Sequence, residues 1–187
     1  MFEATVRHIP LNTRVEQNGS GVTYSGAWSP NTLAVHSGGS AVLAVDAGTR
    51  VTFAFNGTGA TWIAYRDAWS GIARVYVDGA LTDSIDTYSS GDKPQASMYT
   101  ISGLTSGSHS LTIEVTGTKS GASGGAWIWV DAFEVTTADS SLYRIAAFPF
   151  FRIYSIDEAI SESLNRVTDH TNNVTGKTPV SSQLPPF

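Results

Sequence analysis

The sequence contains no cysteine among its 187 residues, and charged residues make up only 14% of it. The absence of cysteine excludes disulfide bonds and metal sites built on thiolates. The formal net charge is −5, which argues against nucleic acid as a partner because phosphate binding requires a basic surface. No apolar run approaches the roughly 18 residues of a membrane span, so we expect none. A chain of this size can fold on core burial alone.

The N-terminus also lacks the features of a secretion signal. The stretch MFEATVRHIPLNTRVEQ has no long apolar region and no small-residue cleavage site, so we expect no signal peptide in this chain. The abundance of Gly, Ser and Thr is common in surface β proteins. Either the chain is a mature form, or the protein leaves the cell by another route, such as release as part of a virus particle. We predict an extracellular location or the surface of a virus particle.

The strongest positive signal is the alternation of apolar and polar residues from about Val22 to Val135. Asp78-Gly79 lies between two apolar runs and predicts a type I′ hairpin, because both central residues of that turn need positive φ. Strands at intervals of about ten residues, without a long helix between them, predict an all-β, antiparallel jelly-roll β-sandwich. The predicted strands are 40–46, 50–56, 61–66, 72–78, 109–115 and 126–135.

The alternation also predicts which side chains form the core. Trp62 begins a strand beside small residues, so we expect it inside the sandwich. The last strand is apolar on both faces, and we interpret Trp127 and Trp129 as packing residues beneath the tail or a neighbouring strand. The other predicted core residues are Phe53, Phe55, Leu111, Ile113, Ile128 and Val130.

After Thr137 the alternation stops and a helical pattern follows. Ser155 and Glu158 form a capping box, and apolar residues at helical spacing predict a short helix over 156–168. A helix this short needs a partner for its apolar side, so we expect the tail to dock on the sandwich, on sister chains or on a larger particle. The predicted division is an N-terminal arm (1–12), a jelly-roll domain (13–137) and a C-terminal docking or oligomerisation tail (138–187), which is extended and helical.

Several segments together resemble a known family. VTYSGAWS, RVTFAFNGTGATWIAYRD, GIARVYVDG, SGLTSGSHSLTIEVTGT and WIWVDAFEV, in this order, resemble the galactose-binding-like jelly-roll domains that occur as carbohydrate-binding modules on bacterial extracellular proteins. The resemblance covers roughly 13–137. It implies a non-catalytic, lectin-like module whose partner is a glycan or polysaccharide. Some modules of this class bind a structural calcium ion, and the matching positions here are Glu16 and Asp131. The alternative is that Asp131 is hydrogen-bonded within the sheet while Glu16 is solvated.

A sugar site is predicted where the strand TWIAYR ends. Arg66, Asp67 and Trp69 lie in the loop RDAWSG, where the alternation pattern does not predict a buried apolar residue. An aromatic face can stack on a pyranose, while guanidinium and carboxylate groups bond pairs of hydroxyls. The alternative is structural, with Trp69 folded over the sandwich end and Arg66 paired to Asp67. Second-rank candidates for sugar binding are Tyr88, Asp86 and Trp28.

No catalytic motif is recognisable in the sequence. The four histidines are scattered and lack metal-ligand spacing, and no nucleophile elbow, zincin motif or P-loop is present. We therefore expect that the chain is not an enzyme. The alternative to a carbohydrate-binding module is a structural virion component, a decoration or fibre protein whose tail docks it into an assembly.

Overall fold

The computed structural model describes residues 10–138, 142–145 and 152–155. Regular structure in these segments is β, apart from one 3-10 turn at Ser37–Gly39. None of their helical structure is long or apolar enough to cross a membrane. The strands are β1 (Pro10–Glu16), β2 (Val22–Ser25), β3 (Ser29–Asn31), β4 (Ala41–Ala44), β5 (Arg50–Arg66), β6 (Ile72–Val77), β7 (Ala80–Asp86), β8 (Lys93–Val115), β9 (Ile128–Val130), β10 (Ala132–Ala138), β11 (Leu142–Ile145) and β12 (Arg152–Ser155).

The strands of 10–138 form an antiparallel jelly-roll sandwich, which confirms the predicted fold class. The larger sheet has seven strands in the order β1-β10-β5-β8-β6-β7, with β2 paired to β5 off this path. The smaller sheet has the order β3-β4-β9. Strands that are neighbours in a sheet are often distant in sequence, as in the pair β1 and β10. This order brings the two ends of the domain sequence side by side.

Two predicted strands prove to be parts of one. The segments 50–56 and 61–66 form the single 17-residue strand β5. The stretch SGLTSGS, which has the composition of a turn, lies inside the 23-residue strand β8. The pairing Gly57↔Gly107 is followed by Gly59↔Ser102, so β8 accommodates extra residues in a bulge opposite Thr58. Glycine- and serine-rich stretches usually mark turns, but here they form a bulge within a pair of strands.

The last predicted strand, in contrast, is two strands in two sheets. β9 pairs with β4 in the smaller sheet, and β10 pairs with β5 and β1 in the larger one. Asp131 is the residue between them, and its backbone N–H donates to the carbonyl of Ile63 at 3.0 Å. A strand that changes sheets buries both of its faces, which explains why its sequence is apolar throughout.

The core contains the residues that the alternation predicts. Trp62 is fully buried, and its indole N–H donates to the carbonyl of Trp129 at 3.2 Å. The Phe53 ring stacks on Phe133 with centroids 4.6 Å apart. Burial of each such side chain contributes about 1.5–3 kcal/mol. The other six predicted core residues are also buried: Phe53, Phe55, Leu111, Ile113, Ile128 and Val130.

The hairpin between β6 and β7 confirms the predicted turn. Asp78 and Gly79 have φ of 50° and 79°, and Val77 pairs with Ala80. The Asp78 carboxylate also binds β8, because its Oδ1 accepts from the backbone of Ser110 at 2.8 Å. A turn residue thus fixes the hairpin to its neighbouring strand.

A charged cluster lies on the larger sheet around Glu114, which is only 6% exposed. Its carboxylate accepts hydrogen bonds from Arg50, from Arg74 at 3.2 Å and from the Tyr76 hydroxyl at 3.2 Å. Burial alone would raise the pKa of Glu114, but the hydrogen bonds and charge of Arg50, with the bonds of Tyr76 and Arg74, lower it. The ionised form therefore stabilises the sheet.

The C-terminal tail is described only at one hairpin, in which β11 pairs antiparallel with β12. The predicted helix over 156–168 lies outside the described residues, as does most of the predicted arm, although β1 already begins at Pro10. The domain boundaries and the docking of the tail stay predictions.

Candidate functional site

A cleft of about 340 Å³ opens where several strands of 10–138 end. The residues around it come from four separate loops and from the strands that flank them. Because four chain segments converge there, the cleft is a product of the strand order rather than of any one motif. It is lined by Asn31, Leu33, His36, Tyr65, Asp67, Ala68, Trp69, Asp92, Trp127 and Trp129.

The loop after β5 is held in place by Asp67, which is 7% exposed. Its Oδ1 accepts from the backbone N–H of Trp69 at 2.9 Å and from the Ser70 hydroxyl at 2.8 Å. This local capture of backbone by an aspartate is a turn-forming device. Asp67 therefore acts on the cleft mainly by fixing the position of Trp69.

Trp69 forms an exposed platform at the cleft. Its side chain is 52% exposed, and its ring stacks on Trp127 with centroids 5.7 Å apart and planes inclined by 24°. A Cβ added to Gly124 would lie 3.1 Å from Trp69 Cε3, so the absence of a side chain at Gly124 allows the indole to sit close. The backbone N–H of Trp127 donates to the carbonyl of Trp69 at 3.0 Å. The platform is thus fixed on one face and open to solvent elsewhere.

The inner wall of the cleft is aromatic as well. Trp129 is buried, and its ring lies 5.3 Å from Tyr65 and 5.7 Å from His36, centroid to centroid. His36 Nε2 lies 3.0 Å from Asn31 Oδ1. The indole N–H of Trp129 is buried and has no hydrogen-bond partner in the described part of the chain. An unmet buried donor costs about 1–3 kcal/mol, which a ligand acceptor or a water would remove.

The charge of the cleft is negative. Asp67 and Asp92 carry carboxylates, and the residues described around the cleft include neither Lys nor Arg. Burial lowers the pKa of His36, so this ring is neutral at pH 7. Burial, a hydrogen bond to Asp92 and the charges of both aspartates raise the pKa of Tyr65 to about 12. The phenol therefore remains a hydrogen-bond donor at any physiological pH.

The structure places only two of the six predicted sugar-binding residues, Asp67 and Trp69, at the cleft. Arg66 donates to the carbonyls of Thr87 and Tyr88, at 3.1 and 2.6 Å. Its guanidinium is thus engaged in holding the segment after β7 and forms no ion pair with Asp67 within the described residues.

The other predicted sugar-binding residues also lie elsewhere. Asp86 is exposed and accepts from the backbone N–H of Tyr88 at 3.0 Å, and half-buried Tyr88 is not among the residues around the cleft. Trp28 packs edge-on against Tyr24, with centroids 5.2 Å apart. These contacts are local to their own loops.

Sequence reasoning missed several residues of the cleft. Trp127 packs partly against the core, and it also supports the exposed Trp69 ring, a role that the packing interpretation does not predict. Tyr65 and Asp92 were not singled out, because one lies on a strand and the other in a turn-like segment. The density of aromatic residues near strand ends was the available signal. The missed residues are Asn31, Leu33, His36, Tyr65, Asp92, Trp127 and Trp129.

The two predicted calcium ligands lie close together. Ser37 connects them, because its backbone N–H donates to Asp131 Oδ1 and its hydroxyl to Glu16 Oε1, both at 2.9 Å. Burial and the charge of Glu16 raise the pKa of Asp131 to about 6, against the opposing bond from Ser37. Glu16 Oε2, Asp131 Oδ2 and Gln17 Oε1 are buried without hydrogen-bond partners among the described residues. His36 Nδ1 lies 4.0 Å from Asp131 Oδ2, beyond hydrogen-bond distance. Glu16 is thus not simply solvated, as the alternative supposed.

This donor set fits a calcium ion in its chemistry. Calcium prefers carboxylate, carbonyl and amide oxygens, and the three unpartnered oxygens are of these kinds. The set is small, since the described residues contain no group of three or more His, Cys, Asp or Glu that could hold a metal. Carbonyl groups or water would have to complete the coordination.

No protein family model matches the chain. A curated relative, an A type blood N-acetyl-alpha-D-galactosamine deacetylase from Flavonifractor plautii, is 29% identical over 104 residues, which are 56% of this chain and 13% of that protein. A two-domain esterase active on acetylated mannans is similar in structure, with a TM-score of 0.55 and 14% identity over 69% of this chain and 37% of that one. A Paenibacillus xanthan lyase has a TM-score of 0.52 and 18% identity over 75% of this chain and 15% of that one.

These matches show the fold and correct one expectation. The prediction that the chain is not an enzyme is contradicted, because the curated relative is named as a deacetylase and the two structures as an esterase and a lyase. The chain spans between 13% and 37% of the lengths of these proteins. The similarity is therefore to one region of each larger protein.

Proposed function

We propose that 10–138 is a glycan-binding domain of an extracellular carbohydrate-active enzyme, and that the cleft beside Trp69 is its binding site. The domain would belong to the galactose-binding-like class of jelly rolls, as the sequence resemblance implies. The name of the curated relative, which contains an acetylated amino sugar, supports a saccharide as the ligand. Catalysis by the whole protein would involve regions that this similarity does not cover.

The observation that carries this proposal is the Trp69 platform. A half-exposed indole, fixed from behind by Trp127, offers the flat apolar face on which a pyranose ring can stack. Tyr65 and Asp92 supply a donor and an acceptor for hydroxyl groups close by. An apolar wall with a few convergent polar groups is the usual composition of a small-ligand site.

The test compares two tryptophan variants of the full chain. Stacking on an aromatic ring is worth about 1–3 kcal/mol by analogy with nucleobases, so Trp69→Ala should weaken binding roughly tenfold or more. Trp28→Ala removes a half-buried tryptophan outside the cleft and should leave affinity unchanged. Binding is measured by calorimetry against galactans, mannans and amino-sugar glycans. Equal losses in both variants, or a loss confined to Trp28→Ala, would place the site elsewhere, and no binding to any glycan would refute the function.

We also propose that Glu16 and Asp131 hold a structural calcium ion, and that the buried, unpartnered amide oxygen of Gln17 is a third ligand. Its charge would compensate two neighbouring carboxylates, one of which is completely buried. Through Ser37 it would fix the segment that carries His36, and His36 lines the cleft. The unpartnered oxygens of the three side chains support this assignment.

The virion alternative has no comparable support. The proteins to which the chain is similar are named as a deacetylase, an esterase and a lyase, and the tail that would dock lies mostly outside the described residues. Association through the tail of 138–187 stays a prediction that the glycan proposal does not require.

A further inference from the structure

The charge distribution around the cleft bears on which sugars it can accept. Asp67 and Asp92 are its only charged groups in the described part of the chain at pH 7, and both are negative. A uronic acid would bring its carboxylate into an acidic cleft without a cation to receive it. The cleft therefore disfavours acidic sugars and suits neutral or positively charged ones.

The two carboxylates are not equally available to a ligand. Both bonds described for the Asp67 carboxylate end on Oδ1 and hold the loop, and the residue is buried. Asp92 is exposed and lies near Tyr65, where its charge contributes to the raised pKa of the phenol. A carboxylate has about four acceptor positions, so Asp92 can accept further bonds from a ligand. It is the acidic group at which a ligand cation would bind.

The nearby cationic side chains do not neutralise Asp92 within the cleft. The guanidinium of Arg66 is bound to the carbonyls of Thr87 and Tyr88. Lys93 follows Asp92 in sequence and is exposed, but it is not among the residues around the cleft. The negative charge of Asp92 is thus left to act on the ligand.

The aromatic walls favour a cation as well. The faces of indole and phenol rings carry negative quadrupole density, which attracts ammonium groups within about 6 Å. Trp69 and Trp127 form one wall, and Tyr65 and Trp129 form another. Three indoles, one phenol and a free carboxylate around one cleft form an environment suited to an ammonium group attached to an apolar ring.

We propose that the cleft prefers a sugar that carries a free, protonated amine, such as a 2-amino-2-deoxyhexose, with the ammonium group on Asp92 and the sugar ring on Trp69. This assignment rests on the proposed glycan-binding function and specifies its ligand. A free amine is distinguished here from its N-acetylated form, which is neutral and cannot pair with the carboxylate.

The experiment measures the affinity of the full chain for glucosamine and galactosamine oligomers and for their N-acetylated counterparts, at near-neutral pH and at two salt concentrations. A partly exposed ion pair and a cation–π contact together justify a preference for the free amine of about fivefold or more. The preference should shrink at high salt, because the charges are near the surface. Asp92→Asn should abolish it, while Asp83→Asn, an exposed aspartate on β7, should retain it.

The outcomes separate this inference from the function on which it rests. Equal or tighter binding of the N-acetylated oligomers, with Trp69→Ala still weakening both, would overturn the amine preference and leave glycan binding intact. A preference that survives Asp92→Asn would also overturn it. If neither kind of amino sugar binds while a glycan without nitrogen does, the amine preference is overturned and glycan binding stands. If nothing binds, the glycan-binding function itself fails.

Discussion

Replacement of Trp62 by alanine should destabilise the sandwich strongly. Trp62 is fully buried and lies between Phe133 on β10 and Tyr99 on β8 in the strand register. Truncation of a buried tryptophan costs about 3–5 kcal/mol because of the cavity it leaves. Loss of its 3.2 Å bond to the Trp129 carbonyl adds about 0.5–1.5 kcal/mol. The sum is a large part of the total stability of about 5–15 kcal/mol for a typical domain.

Trp69→Ala is the matched comparison. It removes the same side chain from a position that is 52% exposed, where the main loss is the stack on Trp127, worth about 0.5–1.5 kcal/mol. Urea unfolding followed by far-ultraviolet circular dichroism gives both free energies without relying on tryptophan fluorescence. Trp62→Phe keeps an aromatic ring and should fall between the two, which provides a folded variant if Trp62→Ala does not fold. Equal destabilisation by Trp62→Ala and Trp69→Ala would show that the assignment of core and platform is wrong.

Three further predictions follow from the charges and contacts described above. Glu114→Gln should lower the free energy of unfolding by about 1–3 kcal/mol near neutral pH. Because folding lowers the pKa of Glu114, the whole loss should be seen above the unfolded-state pKa of about 4.3 and should vanish as the pH falls through the folded-state pKa. Urea unfolding of both proteins at several pH values measures this loss. Gly124→Ala should displace Trp69, since the new Cβ would lie 3.1 Å from its ring, and should weaken glycan binding several-fold. Gly121 faces open space, so the Gly121→Ala variant should bind glycan normally. Unchanged binding in both variants would show that the platform tolerates displacement. Calcium should raise the melting temperature by several degrees, and a chelator should reverse this increase. The Asp131→Asn variant should show no increase. If calcium leaves the melting temperature of the unsubstituted protein unchanged, the proposed site is wrong.

The fold class could be predicted from the sequence because the signal for it is local. Alternation at period two along a strand reports which face is buried, and the buried Phe53, Leu111 and Ile128 follow that pattern directly. The turn at Asp78-Gly79 is equally local, since its conformation depends on two residues that tolerate positive φ.

The bounds of each strand and the sheet to which it belongs were less predictable, because both depend on the strands with which it pairs. Glycine- and serine-rich residues between 102 and 108 have the composition of a turn, yet pairing with β5 keeps them within β8. The break at Asp131 has no turn signal at all, and it is set by the change from the partner β4 to the partner β5.

The sequence alone determined that the chain forms an antiparallel β-sandwich with Trp62 in its core and that Trp69 lies in the loop RDAWSG at the end of a strand. Only the tertiary structure decided what surrounds that tryptophan. Asp92 and Trp127 are far from Trp69 in the chain, and they line the same cleft because strand order and register bring their loops to one place. Periodicity records the face on which a side chain lies, but it carries no information about which distant loops meet, since that depends on long-range pairing.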